Sequence, residues 1–201
     1  IDAFSMTNVI IRNSSFIEHN GIAADSILLA RSKVNVSIID CWFLNSTFKN
    51  QILLTSFIEV GPPGQASQPS ILSIRDSEFN GNIFAENSRA ITSYSQTSLK
   101  NNSFSNNAIL ITDDGTAPGF MLLNTTSTVV LEDLLFPYNS LEGTSSSPVY
   151  AISIINTSGA TIKNISFNYN YANNLCTFFL ASGPLNVAFY DISFTFNILN
   201  N

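Results

Sequence analysis

Residues 74–82 read Ile-Arg-Asp-Ser-Glu-Phe-Asn-Gly-Asn, and residues 162–170 read Ile-Lys-Asn-Ile-Ser-Phe-Asn-Tyr-Asn. Both stretches follow one frame: an apolar residue, any residue, Asn or Asp, two residues, then Phe. The frame recurs seven times, pairing Asn13 with Phe16, Asp40 with Phe43, Asp76 with Phe79, Asn101 with Phe104, Asp133 with Phe136, Asn164 with Phe167 and Asp191 with Phe194. In the last five copies a further Asn follows the Phe by three residues, at Asn82, Asn107, Asn139, Asn170 and Asn197; the first copy has its Asn one place later, at Asn20. The spacings on the Asn/Asp position are 27, 36, 25, 32, 31 and 27, which excludes helical repeats of fixed length. Val34-Asn-Val-Ser-Ile38 alternates with period two, β-branched and aromatic residues are frequent, and turn residues interrupt every apolar run.

Short strands repeated with connections of variable length predict an all-β parallel β-helix of about seven coils, each 25–36 residues long. One coil cannot bury its apolar face alone; stacking coils about 4.8 Å apart closes a continuous core. Like residues then lie on like residues. The seven Phe should form an internal aromatic stack. The Asn/Asp position should sit at a sharp turn, where these side chains tolerate left-handed backbone and bond to nearby main chain. Stacking also accounts for the composition. Charged residues make up only 11% of the 201 residues, against 45% apolar, and the polarity comes from 25 Asn, 28 Ser and 15 Thr. Like charges repeated at every coil would repel by roughly 1 kcal/mol per neighbour in water, and Ser, Thr and Asn ladders avoid this.

The motif Asn/Asp-x-x-Phe-x-x-Asn resembles the FxxN repeats of bacterial polymorphic outer-membrane proteins, over about Val9 to Asn197. The resemblance implies the right-handed, pectin-lyase-like form of the β-helix. It also implies a place among surface proteins, since related repeats occur in eukaryotic surface proteins of this fold.

The net charge of −6 argues against a phosphate-binding surface, hence against nucleic acid. The most apolar stretch, Leu175 to Phe196, contains Pro184, Asn186 and Asp191 and reads as strands, so no membrane span is expected. His19 is the single histidine, which excludes His-based triads and multi-His metal sites; it is expected in an exposed turn. Cys41 and Cys176 fall about four coils apart, far beyond disulfide reach, so both should be free buried thiols or pair outside this segment. No cofactor is expected.

Three stretches break the coil regularity: Gly61–Ser70, Asp113–Gly119 and Gly143–Pro148. They read as tolerated insertions. Enzymes of this fold use clustered Asp with calcium and an Arg or Lys, or paired Asp with a nearby His. Asp113 and Asp114 are the one adjacent Asp pair, too few for a calcium site alone. Glu132 and Asp133 form another carboxylate pair, but Asp133 belongs to the ladder. Nothing specifies two carboxylates across a substrate.

Seven sequons occur, at Asn13, Asn35, Asn45, Asn101, Asn124, Asn156 and Asn164, where this composition gives about five by chance. Alternation puts Asn35 outward and places Asn124 and Asn156 at strand ends, which makes these three the leading glycosylation candidates, with Asn45 next. Asn13, Asn101 and Asn164 rank lower, because a ladder side chain is expected to be committed to backbone bonds. Neither end carries an amphipathic helix or a charged cap, so residues 1–201 read as one solenoid segment, continued in a longer chain or stacked head to tail. The functional expectation is a non-catalytic extracellular structural solenoid of a surface fibre, coat or adhesin. The alternative is a carbohydrate-active enzyme or carbohydrate-binding module using outward aromatics such as Tyr138, Tyr150, Tyr169 and Tyr171.

Overall fold

The computed structural model describes residues 1, 3, 8–21, 26–30, 34–61, 70–111, 119–144, 149–174, 176–183 and 186–200. Most of the three interrupting stretches, Asp113 and Asp114 included, lies outside these residues. Among the described residues there is no helix, and every strand pairing is parallel.

The chain winds as a β-solenoid whose coils present four faces. Face A stacks Asn8–Arg12, Asn35–Ile39 and Ile71–Arg75, then the first halves of Gln96–Ser105, Thr128–Pro137, Gly159–Asn168 and Val187–Thr195. Face B stacks Ser15–Ile17, Trp42–Leu44 and Glu78–Asn80, then the second halves of those four longer strands. Face C runs from Asn20–Gly21 through the starts of Thr47–Val60 and Ile83–Ser93 to Ala108–Leu110, Ser140–Glu142, Tyr171–Asn173 and Ile198–Asn200. Face D runs from Leu28–Ala30 through the ends of the same two long strands to Gly119–Asn124, Val149–Ile155 and Cys176–Ser182. Face A has seven members and face D six, so the described chain makes six complete turns plus three faces of a seventh, slightly fewer than the motif copies.

The strands form because inward positions alternate with outward ones. Asn35–Ile39 carries Val36 and Ile38 inward with Asn35 outward, and the same register continues into Leu72 and Ile74. At the A/B corner all seven repeat residues, Asn13, Asp40, Asp76, Asn101, Asp133, Asn164 and Asp191, adopt φ between 48 and 56°. This left-handed residue turns the strand without interrupting the ladder, and Asn and Asp accept it at the smallest penalty after glycine. Three residues on, the Phe rings stack at the start of the interior. Centroid separations along Phe16, Phe43, Phe79, Phe104, Phe136, Phe167 and Phe194 are 4.9, 4.6, 4.6, 5.0, 4.7 and 5.2 Å, with planes within 15°. Each buried ring is worth roughly 1.5–3 kcal/mol in burial, and each aromatic contact about 0.5–1.5 kcal/mol more. A second cluster, Phe48, Phe57, Phe84 and Phe120, meets this stack from the C and D side in near-parallel and tilted contacts, and its own rings meet tilted or edge-on.

Candidate functional site

The B/C corner holds the most regular polar chemistry in the molecule. Asn82, Asn107, Asn139, Asn170 and Asn197 point inward, and the first four are buried. Each donates from Nδ2 to the Phe carbonyl of the preceding coil, at Phe43, Phe79, Phe104, Phe136 and Phe167, over 2.7–2.9 Å. Each Oδ1 accepts from the backbone N–H of the preceding member, at Ser46, Asn82, Asn107, Asn139 and Asn170, over 2.8–3.0 Å. The amides therefore form a continuous column that satisfies the main chain where the sheet ladder breaks. Ser46 takes this position in the second coil, and its Oγ accepts the N–H of His19 at 3.0 Å. The first coil's member is thus His19. Asn20, the sequence expectation, lies one place on and pairs with Thr47.

Just before this column stands a second left-handed position. Glu18, Asn45, Gly81, Asn106, Tyr138, Tyr169 and Phe196 all have φ between 50 and 68°. Nothing in the sequence marked it, because most of its residues are not turn formers. Its last three members project outward, and Tyr138 stacks on Tyr169 at 5.3 Å and Tyr169 on Phe196 at 5.0 Å. Tyr169 is therefore covered on both ring faces, and Phe196, at the end of the row, is 71% exposed. Tyr150 and Tyr171 are half-buried.

The A/B corner is the outward counterpart of the buried amide column. Asn13, Asn101 and Asn164 are exposed there. Asn101 donates to Asp76, and Asn164 to Asp133, each at 2.8 Å. The expected commitment of these side chains to backbone is not what forms. The corner turns the side chain out of the coil, and the backbone-bonding role belongs to the inward Asn three residues beyond the Phe. Asn35 and Asn156 are also exposed, while Asn124 is half-buried. Asn35 donates to Asn8, and Asn156 to Asn124, each at 3.2 Å. Asn45 is exposed, and its Oδ1 occupies the space that a Cβ on Gly81 would need.

Next to this corner runs a stripe of charged residues on face A, Arg75, Lys100, Glu132 and Lys163. Arg75 pairs with Asp76 at 2.9 Å, and Glu132 bridges Lys100 and Lys163 at 3.2 and 3.8 Å. On the C side, exposed Lys49 meets buried Glu86 at 3.0 Å. Burial draws the Arg89 guanidinium down to about 10, against a smaller opposing pull from Tyr94. Cys41 and Cys176 are both free. Cys41 is buried. Cys176 is only half-buried, and its strand is the last on face D among the described residues. Burial raises the Cys176 thiol, partly offset by main-chain hydrogen bonds at Gly143 and Asn173.

Among the described residues no group of three or more His, Cys, Asp or Glu side chains is placed to hold a metal ion. A shallow groove of about 330 Å³ on face A is lined by residues such as Thr128, Val130, Thr161 and Asn186, and no ionisable side chain faces it.

No protein-family model matches the chain, and no curated protein matches it. Among solved structures it is similar to QnrB1, a plasmid-mediated fluoroquinolone resistance protein, with 12% identity over 90% of both chains and a TM-score of 0.19. A likeness that slight carries no argument about function.

Proposed function

We propose that this chain is a structural β-solenoid of an extracellular surface fibre, coat or adhesin, with no catalytic role and N-glycosylated. The observation that carries this reading is the dedication of the repeated residues to stacking. Coil after coil, the Phe column and the inward Asn column hold one turn to the next. The resemblance to FxxN surface proteins supports the same reading. Glycans would attach at exposed Asn35 and Asn156 first. Exposure at the A/B corner brings Asn13, Asn101 and Asn164 level with Asn45. The carbohydrate-active alternative has less support, since Tyr169 is covered on both ring faces and Tyr150 and Tyr171 are half-buried.

Electron microscopy of material isolated from its source without proteolysis tests the proposal. The expected result is an elongated fibre with coils spaced about 4.8 Å along its axis. Mass spectrometry of peptides spanning Asn35 and Asn156 should show hexosamine-bearing forms. Discrete short rods free of glycan would overturn the reading and redirect work to polysaccharide cleavage assays.

A further inference from the structure

The outward row at the B/C corner sets two phenols against each other. Tyr138 and Tyr169 hold the same left-handed position on neighbouring coils, with φ of 58 and 55°. The pairing of Pro137 with Asn168 places one above the other, and the Tyr138 N–H donates to the Asn168 carbonyl at 3.0 Å. Their Cα atoms are therefore one coil apart, about 4.8 Å. The rings stack at 5.3 Å with planes 11° apart, and they are 59% and 50% exposed. Packing alone does not call for the hydroxyls. Phe196 fills the same position one coil on and stacks on Tyr169 at 5.0 Å. Of the six tyrosines, these two are the one pair in ring contact among the described residues. Tyr94 is buried, Tyr150 and Tyr171 are half-buried, and Tyr190 is exposed on face A beside Lys163.

We propose that Tyr138 and Tyr169 are a site of oxidative cross-linking, joined as dityrosine by a peroxidase-type one-electron oxidant that consumes hydrogen peroxide. Each phenol gives up one electron and its hydroxyl proton, leaving a phenoxyl radical with spin on the ring carbons ortho to the oxygen. The two radicals pair to form one carbon–carbon bond between ortho carbons. Each of these carbons then loses its hydrogen as a proton, each oxygen takes a proton up, and both rings regain aromaticity. The two electrons and two protons removed reduce the peroxide. In sum, two phenols and one hydrogen peroxide give one dityrosine and two waters.

The surroundings suit this chemistry. Exposure opens both rings to the oxidant, and exposed side chains change rotamer within about nanoseconds, so ortho carbons on stacked rings can meet. The bond is confined to this pair, because Phe196 covers the other face of Tyr169 and has no hydroxyl to oxidise. The product ties together residues 31 apart in the chain, linking one coil to the next covalently. It restricts the unfolded chain in the way a disulfide does. The site stands on its own geometry, whether or not the chain belongs to a fibre.

Treating the dilute purified chain with a haem peroxidase and hydrogen peroxide tests the site. Dityrosine fluorescence should appear on the monomer band of a denaturing gel. Its yield should be unchanged by about tenfold dilution, because the second ring is held in place beside the first. After denaturation, deglycosylation and trypsin, the fragment 101–163 should be found joined to the one that begins at Asn164, lighter than their sum by two hydrogens. Tyr138→Phe and Tyr169→Phe should each lose the product, and Tyr190→Phe should keep it. Phe196 shows that the row accepts phenylalanine, and circular dichroism checks that each variant remains folded. The oxidised wild-type chain should unfold at higher urea than the untreated one, whereas oxidised Tyr138→Phe should show no shift. Dityrosine that persists in Tyr138→Phe, dityrosine confined to dimers, or none where the same enzyme couples free tyrosine would each overturn the site.

Discussion

Replacing Asn107 with alanine isolates what the inward amide column contributes. The side chain is 1% exposed and makes four hydrogen bonds. Its Nδ2 donates to the Phe79 carbonyl at 2.9 Å and to Asn139 Oδ1 at 3.1 Å; its Oδ1 accepts from Asn82 N–H at 2.9 Å and from Asn82 Nδ2 at 3.0 Å. Asn139 Oδ1 keeps the Asn107 backbone N–H, and Asn82 Nδ2 keeps the Phe43 carbonyl. The Asn82 N–H and the Phe79 carbonyl lose these partners in the interior. An orphaned buried group costs about 1–3 kcal/mol, and with the small cavity the substitution should cost roughly 3–5 kcal/mol. Asn197 is the internal control. It holds the same bonds downward, to Phe167, Asn170 N–H and Asn170 Nδ2, but is half-exposed, so water replaces what is lost. Asn197→Ala should cost only about 1 kcal/mol. Urea unfolding followed by circular dichroism gives both values. Equal losses in the two variants, or a loss below about 1 kcal/mol for Asn107→Ala, would refute the claim that the column satisfies otherwise stranded backbone.

Phe104→Ala removes a ring held between Phe79 and Phe136 at 4.6 and 5.0 Å and should cost about 3–5 kcal/mol in denaturant, against far less for the half-exposed Phe194. Gly119→Ala drives a methyl into the Tyr150 carbonyl oxygen on the next coil, so the purified variant should show a depressed melting temperature and early proteolysis across face D. Asn101→Asp sets a third carboxylate between Asp76 and Asp133. At about 4.8 Å each neighbour repels by roughly 1 kcal/mol in water, and the lost hydrogen bond adds about 1 kcal/mol. The new carboxyl is pushed above its unfolded value, so the folded state binds more protons. The penalty should therefore grow as pH rises through about 4 and vanish below about pH 3.5, as read by melting temperatures across pH. At Cys176, burial raises the thiol, so maleimide-type labelling should be slow near neutral pH and accelerate on the alkaline side, with Cys41 unlabelled until the chain unfolds.

The frame from apolar residue to Phe was legible because a stacked column repeats its chemistry at every coil. Asp40 and Asn101 differ in charge but share a backbone angle, and Phe43 and Phe104 share one stack. The two Asn/Asp positions were harder to separate. Each stands three residues from the same Phe, and only the direction of the side chain tells them apart. Asn101 turns outward to Asp76, while Asn107 turns inward to Phe79. The sequence therefore led to a backbone-bonding role for the wrong member of the pair. The left-handed position filled by Tyr138, Tyr169 and Phe196 had no signal at all. Aromatic residues seldom adopt positive φ, and here stacking on the neighbouring coil offsets a conformational cost of about 1–2 kcal/mol per residue.

From the corner Asn or Asp to the Phe is always three residues, and from the Phe to the inward ladder position three more. Every difference between a 25-residue and a 36-residue coil therefore accumulates past that point, on the way through faces C and D to the next corner. The solenoid is built around a ruler with a slack side. Segments can be gained or lost along the slack side without moving a single ring or amide out of step. Axial periodicity and lateral surface are thus separately adjustable, and a family of such chains could vary its outer loops freely while keeping one coil spacing.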